Sequence, residues 1–238
     1  MVVFIYTHTI NLSRLSRVRR VSNKVVNASS NMDAMYKYQR YIYNATRKYY
    51  LLGRDHLLDE LKPAAHDTVL EVGCGTGRNL ILAARRYPKA KFYGLDISNE
   101  MLTTAWQSIK RSGLSDRITL AQGDACTFDV REMFGIAGAD RVFVSYTLSM
   151  IPSWHQSLDA SLSAVASSGS FHIVDFGQQN GLPKWFKATL FAWLDKFTVY
   201  PCADLRSELS IRAEASGFDL RYQHLYCGYA DYAVLRHI

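Results

Sequence analysis

Three glycines at alternate positions, Gly73, Gly75 and Gly77, follow an apolar run over 68–72 and precede a helical pattern over 79–86. One acid, Glu71, stands two residues before the first glycine. A strand, a glycine turn and a helix make a corner where a ligand can lie against bare backbone, because no Cβ intervenes. Charge then selects the ligand. A dinucleotide fingerprint needs glycine where this chain has Arg78, and no Gly-Lys-Ser/Thr of a P-loop follows. An acid at the loop repels a pyrophosphate and attracts an amino group or a sulfonium.

Two further acids stand where a βαβ unit returns to that corner. Asp96 ends the apolar run over 91–95, and an ionised carboxylate there accepts both hydrogen bonds of a ribose diol. Its alternative role is to cap the helix that begins near Ser98. Asp124 follows the run over 118–122 and suits an adenine amino group, with the Ala125 N–H donating to the ring; the alternative is a plain turn residue. Tyr146, His155 and Asp175 lie near strand ends and are the candidate proton acceptors. His172 falls within a strand and is expected in the core.

The elements that position these residues alternate. Strands are expected over 68–72, 91–95, 118–122, 141–146 and 169–176, with helices over 79–86, 101–112 and 158–166 between them. Tyr87-Pro88 closes the first of these helices. Phe186, Leu190, Trp193, Leu194 and Phe197 recur at helical spacing within 181–200, while Trp185 and Phe191 fall outside that stripe. A helix needs only one apolar face to pack on a sheet. The surplus suggests an apolar substrate mouth or a helix dipping into a membrane, carried by Trp185, Phe186 and Trp193. The end of the chain alternates in two runs, 218–226 and 232–236, joined by a turn. Upstream, Met35, Tyr38, Ile42, Ala45, Tyr49 and Leu52 give 33–61 an apolar helical face, a candidate lid whose tyrosines also suit a membrane interface.

Composition sets the class. The 238 residues are 48% hydrophobic, enough for one full α/β core. Four scattered cysteines without metal spacing indicate a reduced, cytosolic chain. No apolar run approaches the ~18 residues of a membrane span. The net charge of +7 is concentrated in residues 1–31, which hold Arg14, Arg17, Arg19, Arg20 and Lys24 and no acid. These residues are expected to be an extension before a working start near Met32, disordered or wrongly included; the alternative is a basic arm for anionic lipid or nucleic acid.

The stretch from Glu71 through Gly77 resembles motif I of the class I S-adenosylmethionine-dependent methyltransferases. Over 65–238 the resemblance implies a Rossmann-like α/β fold: a seven-stranded sheet, helices on both faces and a C-terminal antiparallel hairpin. It implies S-adenosylmethionine as cofactor. The implied contacts are Glu71, Gly73, Cys74, Gly75, Thr76, Gly77 and Asn79 around the loop, Asp96, Ile97 and Met101 after the second strand, Asp124, Ala125 and Ser145 beyond, and Tyr43, Arg47 and Tyr50 from a helical cap over 32–64. No metal is implied. After the fourth strand the chain has Ser145-Tyr146-Thr147-Leu148, not the Asp/Asn-Pro-Pro-Tyr/Phe of enzymes that methylate base nitrogens. The paired-glutamate loop of protein arginine methyltransferases is also missing, so a nucleic-acid partner is disfavoured. Residues 36–43 and 46–55 are similar to the start of the bacterial betaine-lipid N-methyltransferases. That similarity implies methylation of diacylglycerylhomoserine to diacylglyceryl-trimethylhomoserine, an amphiphilic lipid partner, and a cytoplasmic protein peripheral on the inner face of the membrane. Phosphatidylethanolamine-type, quinone and soluble small-molecule methyltransferases are the alternatives, with RNA less favoured.

Overall fold

The computed structural model describes residues 50–237, all within one compact unit. The 1–31 extension, most of the 32–64 cap, Tyr43 and Arg47 lie outside the described residues. The strands are β1 (Thr68–Val72), β2 (Lys91–Asp96), β3 (Ile118–Gln122), β4 (Ala139–Ser145), β5 (Val165–Phe176), β6 (Phe218–Leu225) and β7 (Ala230–His237). The helices are α1 (Arg54–Glu60), α2 (Arg78–Arg86), α3 (Asn99–Arg111), α4 (Val130–Phe134), α5 (Trp154–Ser163), α6 (Lys184–Asp195) and α7 (Leu205–Ser216). One seven-stranded sheet runs in the order β3-β2-β1-β4-β5-β7-β6. Its first five strands are parallel, and β7 pairs antiparallel with both β5 and β6. This is the expected fold.

Alternation along the strands builds two cores. Val69, Phe92, Phe143 and Val174 pack with α1, α2, α3 and α6, while Leu70, Val72, Val142 and Ile173 pack with α5 and α7 on the opposite face. Parallel strands covered on both faces must be apolar throughout, which is why these runs show little polar alternation. Glu71 interrupts β1 on the α2 side, at the carboxyl end where the sheet opens. The order also reverses there, because β1 sits between β2 and β4; open α/β sheets bind ligands at such a point.

Three features differ from the sequence expectation. α4 and α7 lie in stretches with no expected element. α5 starts at Trp154 and ends at Ser163, earlier at both ends than 158–166. β5 then begins at Val165, ahead of Gly169, and its pairing with β4 shifts register between Ala139 and Arg141.

Candidate functional site

The glycine loop is held in a shape that needs glycine. Gly73, Gly75 and Gly77 have φ of 74°, 53° and 73°, all left-handed. A Cβ on Gly73 would stand 2.3 Å from Thr147 Cγ2, so the end of β1 and the turn after β4 meet at that point. The N–H groups of Gly73 and Cys74 both donate to the Leu95 carbonyl at 2.9 Å. Gly77 caps α2, whose first residue is Arg78.

The acids surround this loop. Asp96 accepts from the Gly75 N–H at 2.7 Å and from the Ser98 N–H at 2.9 Å. It does not cap α3: that role falls to Ser98, whose Oγ accepts from the Met101 N–H. Glu71 is buried and accepts from Asn79 Nδ2 at 2.8 Å. Cys74 is also buried; desolvation, then the charges of Asp96 and Glu71, push its thiol well above its ordinary pKa, so it stays protonated and is no nucleophile. Ile97 is half-buried and its carbonyl accepts from Gln122, Met101 is buried, and Ala125 is buried beside the exposed Asp124. Asp124 accepts from the Cys126 N–H at 2.9 Å, the turn geometry expected as its alternative, and remains exposed.

A small, partly open pocket lies at the carboxyl ends of β1 and β4. Glu71, Gly73, Cys74, Thr76, Asn79 and Ser145, all read from the sequence as cofactor contacts, line it. Its wall also includes Leu51, Arg54 and Arg78, which sequence reasoning did not place there. Two buried polar atoms of the wall, Asn79 Oδ1 and Ser145 Oγ, make no hydrogen bond within the protein. Buried polar atoms ordinarily do, so these suit a polar ligand. An acid, unpartnered polar atoms and exposed loop backbone together fit the amino-acid end of S-adenosylmethionine.

The segment before α1 is strapped over the strand ends by two tyrosines. Tyr146 O–H donates to the Leu52 carbonyl, and Tyr229 O–H donates to the Tyr50 carbonyl at 2.7 Å. Tyr50 also meets Trp193 edge-on, with ring centroids 5.0 Å apart. Burial raises the Tyr146 hydroxyl well above its ordinary pKa, and its proton is committed to Leu52, so Tyr146 positions the strap. Asp175 is fully buried at the end of β5 and accepts from the Phe176 and Ser149 N–H groups at 2.7 and 3.1 Å. Desolvation, opposed by those bonds, raises its carboxyl to about 6. His155 does not line the pocket; it stacks on Trp154 and faces Glu208 of α7. His172 is buried in the sheet between Ser170 and Tyr232, at 2.8 and 3.0 Å, and desolvation lowers it to about 3, so it stays neutral.

Among the three aromatic residues read as a substrate or membrane contact, only Trp185 is truly outward, at 69% exposure. Phe186 packs toward Tyr229, and Trp193 lies against Tyr50 and Phe197. Among the described residues no helix is long and apolar enough to cross a membrane, and no group of His, Cys, Asp and Glu could hold a metal ion.

Residues 69–169 match the family model described as "Methyltransferase domain". A probable fatty acid methyltransferase of Pseudomonas putida is 42% identical over 66 residues, 28% of this chain and 16% of that protein. A demethylmenaquinone methyltransferase of Bacteroides fragilis is 30% identical over 110 residues, 46% of this chain and 42% of that protein. The chain thus spans less than half the length of each. A SAM-dependent methyltransferase from Aquifex aeolicus superposes with a TM-score of 0.57 at 20% identity, covering 81% of this chain and 93% of that one. Residues 69–169 thus match a methyltransferase domain, and the sheet has the fold of that Aquifex protein.

Proposed function

We propose that this chain transfers methyl groups from S-adenosylmethionine to the amino group of an amphiphilic lipid, diacylglycerylhomoserine, to form the betaine lipid diacylglyceryl-trimethylhomoserine. The observation that carries the methyltransferase reading is the pocket where Glu71, Asn79, Ser145 and the left-handed glycine loop meet, with Asp96 bonded to that loop. The lipid reading is supported by the similarity of residues 36–43 and 46–55 to the betaine-lipid enzymes and by the outward Trp185 of α6, whose other large apolar residues pack on the core. In α6 only Leu194 is fully buried, and Lys184 and Lys187 flank the exposed Trp185. That arrangement favours contact with an anionic membrane surface, where a tryptophan and lysines each find their preferred depth.

The bound cofactor supplies a methyl group already activated by its sulfonium. The chain's work is then to align and to exclude water. Glu71 attracts the cofactor's amino group, Asp96 receives the ribose hydroxyls while fixing the Gly75 N–H, and Asp124 with the Ala125 N–H meets the adenine. An attacking amine must be neutral, so a proton has to leave it. None of Tyr146, His155 and Asp175 lines the pocket; Asp175 is the carboxylate among them, and burial raises its basicity.

Labelled S-adenosylmethionine, the full chain and a lipid extract containing diacylglycerylhomoserine test this reading, with products separated by chromatography and mass. Lipid products heavier by one, two and three methyl groups are expected. Cofactor binding without a lipid product would move the acceptor elsewhere, first to a quinone, as the similarity to a demethylmenaquinone methyltransferase favours.

A further inference from the structure

The large apolar side chains exposed among the described residues are Leu52, Trp106, Trp185, Tyr200, Ile211 and Tyr226. Four of these six ring the carboxyl end of the sheet. Leu52 lies just past β4, where its carbonyl receives Tyr146. Tyr226 forms the tip of the β6–β7 hairpin, at the same end, since β5 and β6 both run antiparallel to β7. Trp185 opens α6, and Tyr200 follows that helix with its N–H on the Ser149 carbonyl at 2.7 Å. Trp106 and Ile211 stand elsewhere, on α3 and α7. We infer that this rim is a membrane-docking face in which the hairpin tip and Leu52 act together with α6. The inference rests on the lipid reading above and extends it from one helix to three segments of chain around the pocket.

The hairpin tip carries the argument furthest. A tight hairpin turn favours glycine, asparagine or aspartate, because its residues take left-handed backbone. Here Tyr226 and Cys227 take it, at φ of 53° and 57°. Both conformations cost energy that the usual turn residues avoid. The tyrosine recovers little of it by burial, since it is 52% exposed. The tip is nonetheless braced. The N–H groups of Gly177, Gln179 and Gly181 donate to the carbonyls of Tyr229, Gly228 and Cys227 at 2.9, 2.9 and 3.0 Å. A Cβ on Gly181 would stand 2.7 Å from the Cys227 carbonyl oxygen, so the segment leading into α6 lies flush on the tip. A Cβ on Gly53 would stand 3.7 Å from the Tyr226 ring, which puts Leu52 beside the tip as well.

The chemistry of the rim selects what covers it. Tryptophan and tyrosine join an apolar ring to a polar tip, the combination favoured at the depth of lipid headgroups. Lys184 and Lys187 of α6 add positive charge, and the one acid of that helix, Asp195, is at its far end. Anionic headgroups complement that charge. Leu51, next to Leu52, and Ser145, at the end of β4, line the pocket. A lipid amine therefore reaches the strand ends from the headgroup layer while its chains stay in the bilayer.

Flotation of the full chain with vesicles of phosphatidylcholine alone, and of phosphatidylcholine mixed with phosphatidylglycerol, reads this face. The unaltered protein should float with the mixed vesicles and less with phosphatidylcholine alone. Tyr226→Gly relieves the left-handed strain, so its melting temperature should hold or rise. Its partitioning should still fall, roughly 10-fold, the worth of one apolar ring. A merely structural role for Tyr226 would not move the two readings in opposite directions. Trp106→Ser removes a ring of similar exposure from α3 and should leave partitioning unchanged. Partitioning that is unchanged in Tyr226→Gly, or that falls as far in Trp106→Ser, would overturn the inference. So would light scattering that shows two copies paired through the rim, with the pair lost in Tyr226→Gly. Failure of the unaltered protein to float would overturn the docking face, while methylation of diacylglycerylhomoserine in detergent micelles would still uphold the acceptor. Flotation as expected with no methylated lipid would uphold the docking face and overturn the acceptor.

Discussion

The Gly75 N–H and the Asp96 carboxylate stand 2.7 Å apart, so the residue assigned to the ribose also holds the glycine loop in place. The second oxygen accepts from Ser98 at the head of α3. Asp96→Ala would leave both backbone donors without this acceptor, at a cost of about 2 kcal/mol from lost hydrogen bonds to a charged group. Chemical denaturation should read that loss. Affinity for S-adenosylmethionine should fall at least ~100-fold, since the diol loses a charged acceptor and the loop loses its tether. Asp96→Asn should recover part of the stability, because its one carbonyl oxygen can still accept. It should recover little of the affinity. An unchanged titration in either variant would remove Asp96 from the ribose site.

Gly73 tests whether the loop's shape or merely its flexibility matters. Alanine there meets two penalties, a left-handed φ of 74° and a Cβ 2.3 Å from Thr147 Cγ2. Together they should destabilise the fold by about 2–4 kcal/mol. Removing the obstacle in Gly73→Ala/Thr147→Ala should return the steric part and leave the backbone part. The two substitutions should therefore be far from additive in a double-mutant cycle. Strict additivity would show that the clash is relieved elsewhere.

How much of this could be read beforehand depends on the range of each interaction. The glycine loop, Glu71 and Asp96 were legible because their spacing acts on local backbone. The strap was not. Leu52 and Tyr50 are held by Tyr146 and Tyr229, partners far along the chain, and nothing near Arg54 signals that it will be delivered to the pocket. Asp96's bond to Gly75 was hidden for the same reason, and its capping alternative went instead to Ser98. α7 escaped because its buried stripe is thin, only Leu205, Leu209 and Ala213, while Ile211 points outward. The early start of β5 was obscured by Val165 to Ser168, which are half-buried or exposed and carry no apolar run. His155 stands near a strand end in sequence, but α7 draws it to Glu208.

Asp175 predicts an unusual pH dependence. Burial raises its carboxyl from 3.8 to about 6, so the native state binds a proton more readily than the unfolded chain. Below about pH 4 both states are protonated and the burial carries no ionisation penalty. As pH rises through the window from 4 to 6 the unfolded state ionises first, and stability falls; above 6 the loss is complete, about 3 kcal/mol for a shift of this size. Asp175→Asn lacks this titration. The stability difference between variant and unaltered protein should shift in the variant's favour between pH 4 and 6, then level off. Comparing the two cancels other carboxylates, which mostly run the opposite way. A difference that is flat with pH would mean that Asp175 ionises normally.

Trp185 separates a membrane role from a packing role on one helix. Its side chain is largely in water, so Trp185→Ser should leave the melting temperature within a degree or two, as surface changes usually do. Phe186→Ser and Trp193→Ser remove rings packed on Tyr229 and Tyr50 and should each cost about 2–3 kcal/mol. If α6 meets a bilayer through its outward tip, Trp185→Ser alone should weaken flotation with anionic vesicles, and Lys184→Gln/Lys187→Gln should reduce how strongly salt weakens it. Cofactor affinity should not change in either variant, because none of these residues lines the pocket. Flotation that survives Trp185→Ser but fails in Trp193→Ser would place the effect in the fold of α6 and not in its exposed face. The exposed tryptophan would then be an unused surface residue, and the lipid would have to reach the strand ends by another route.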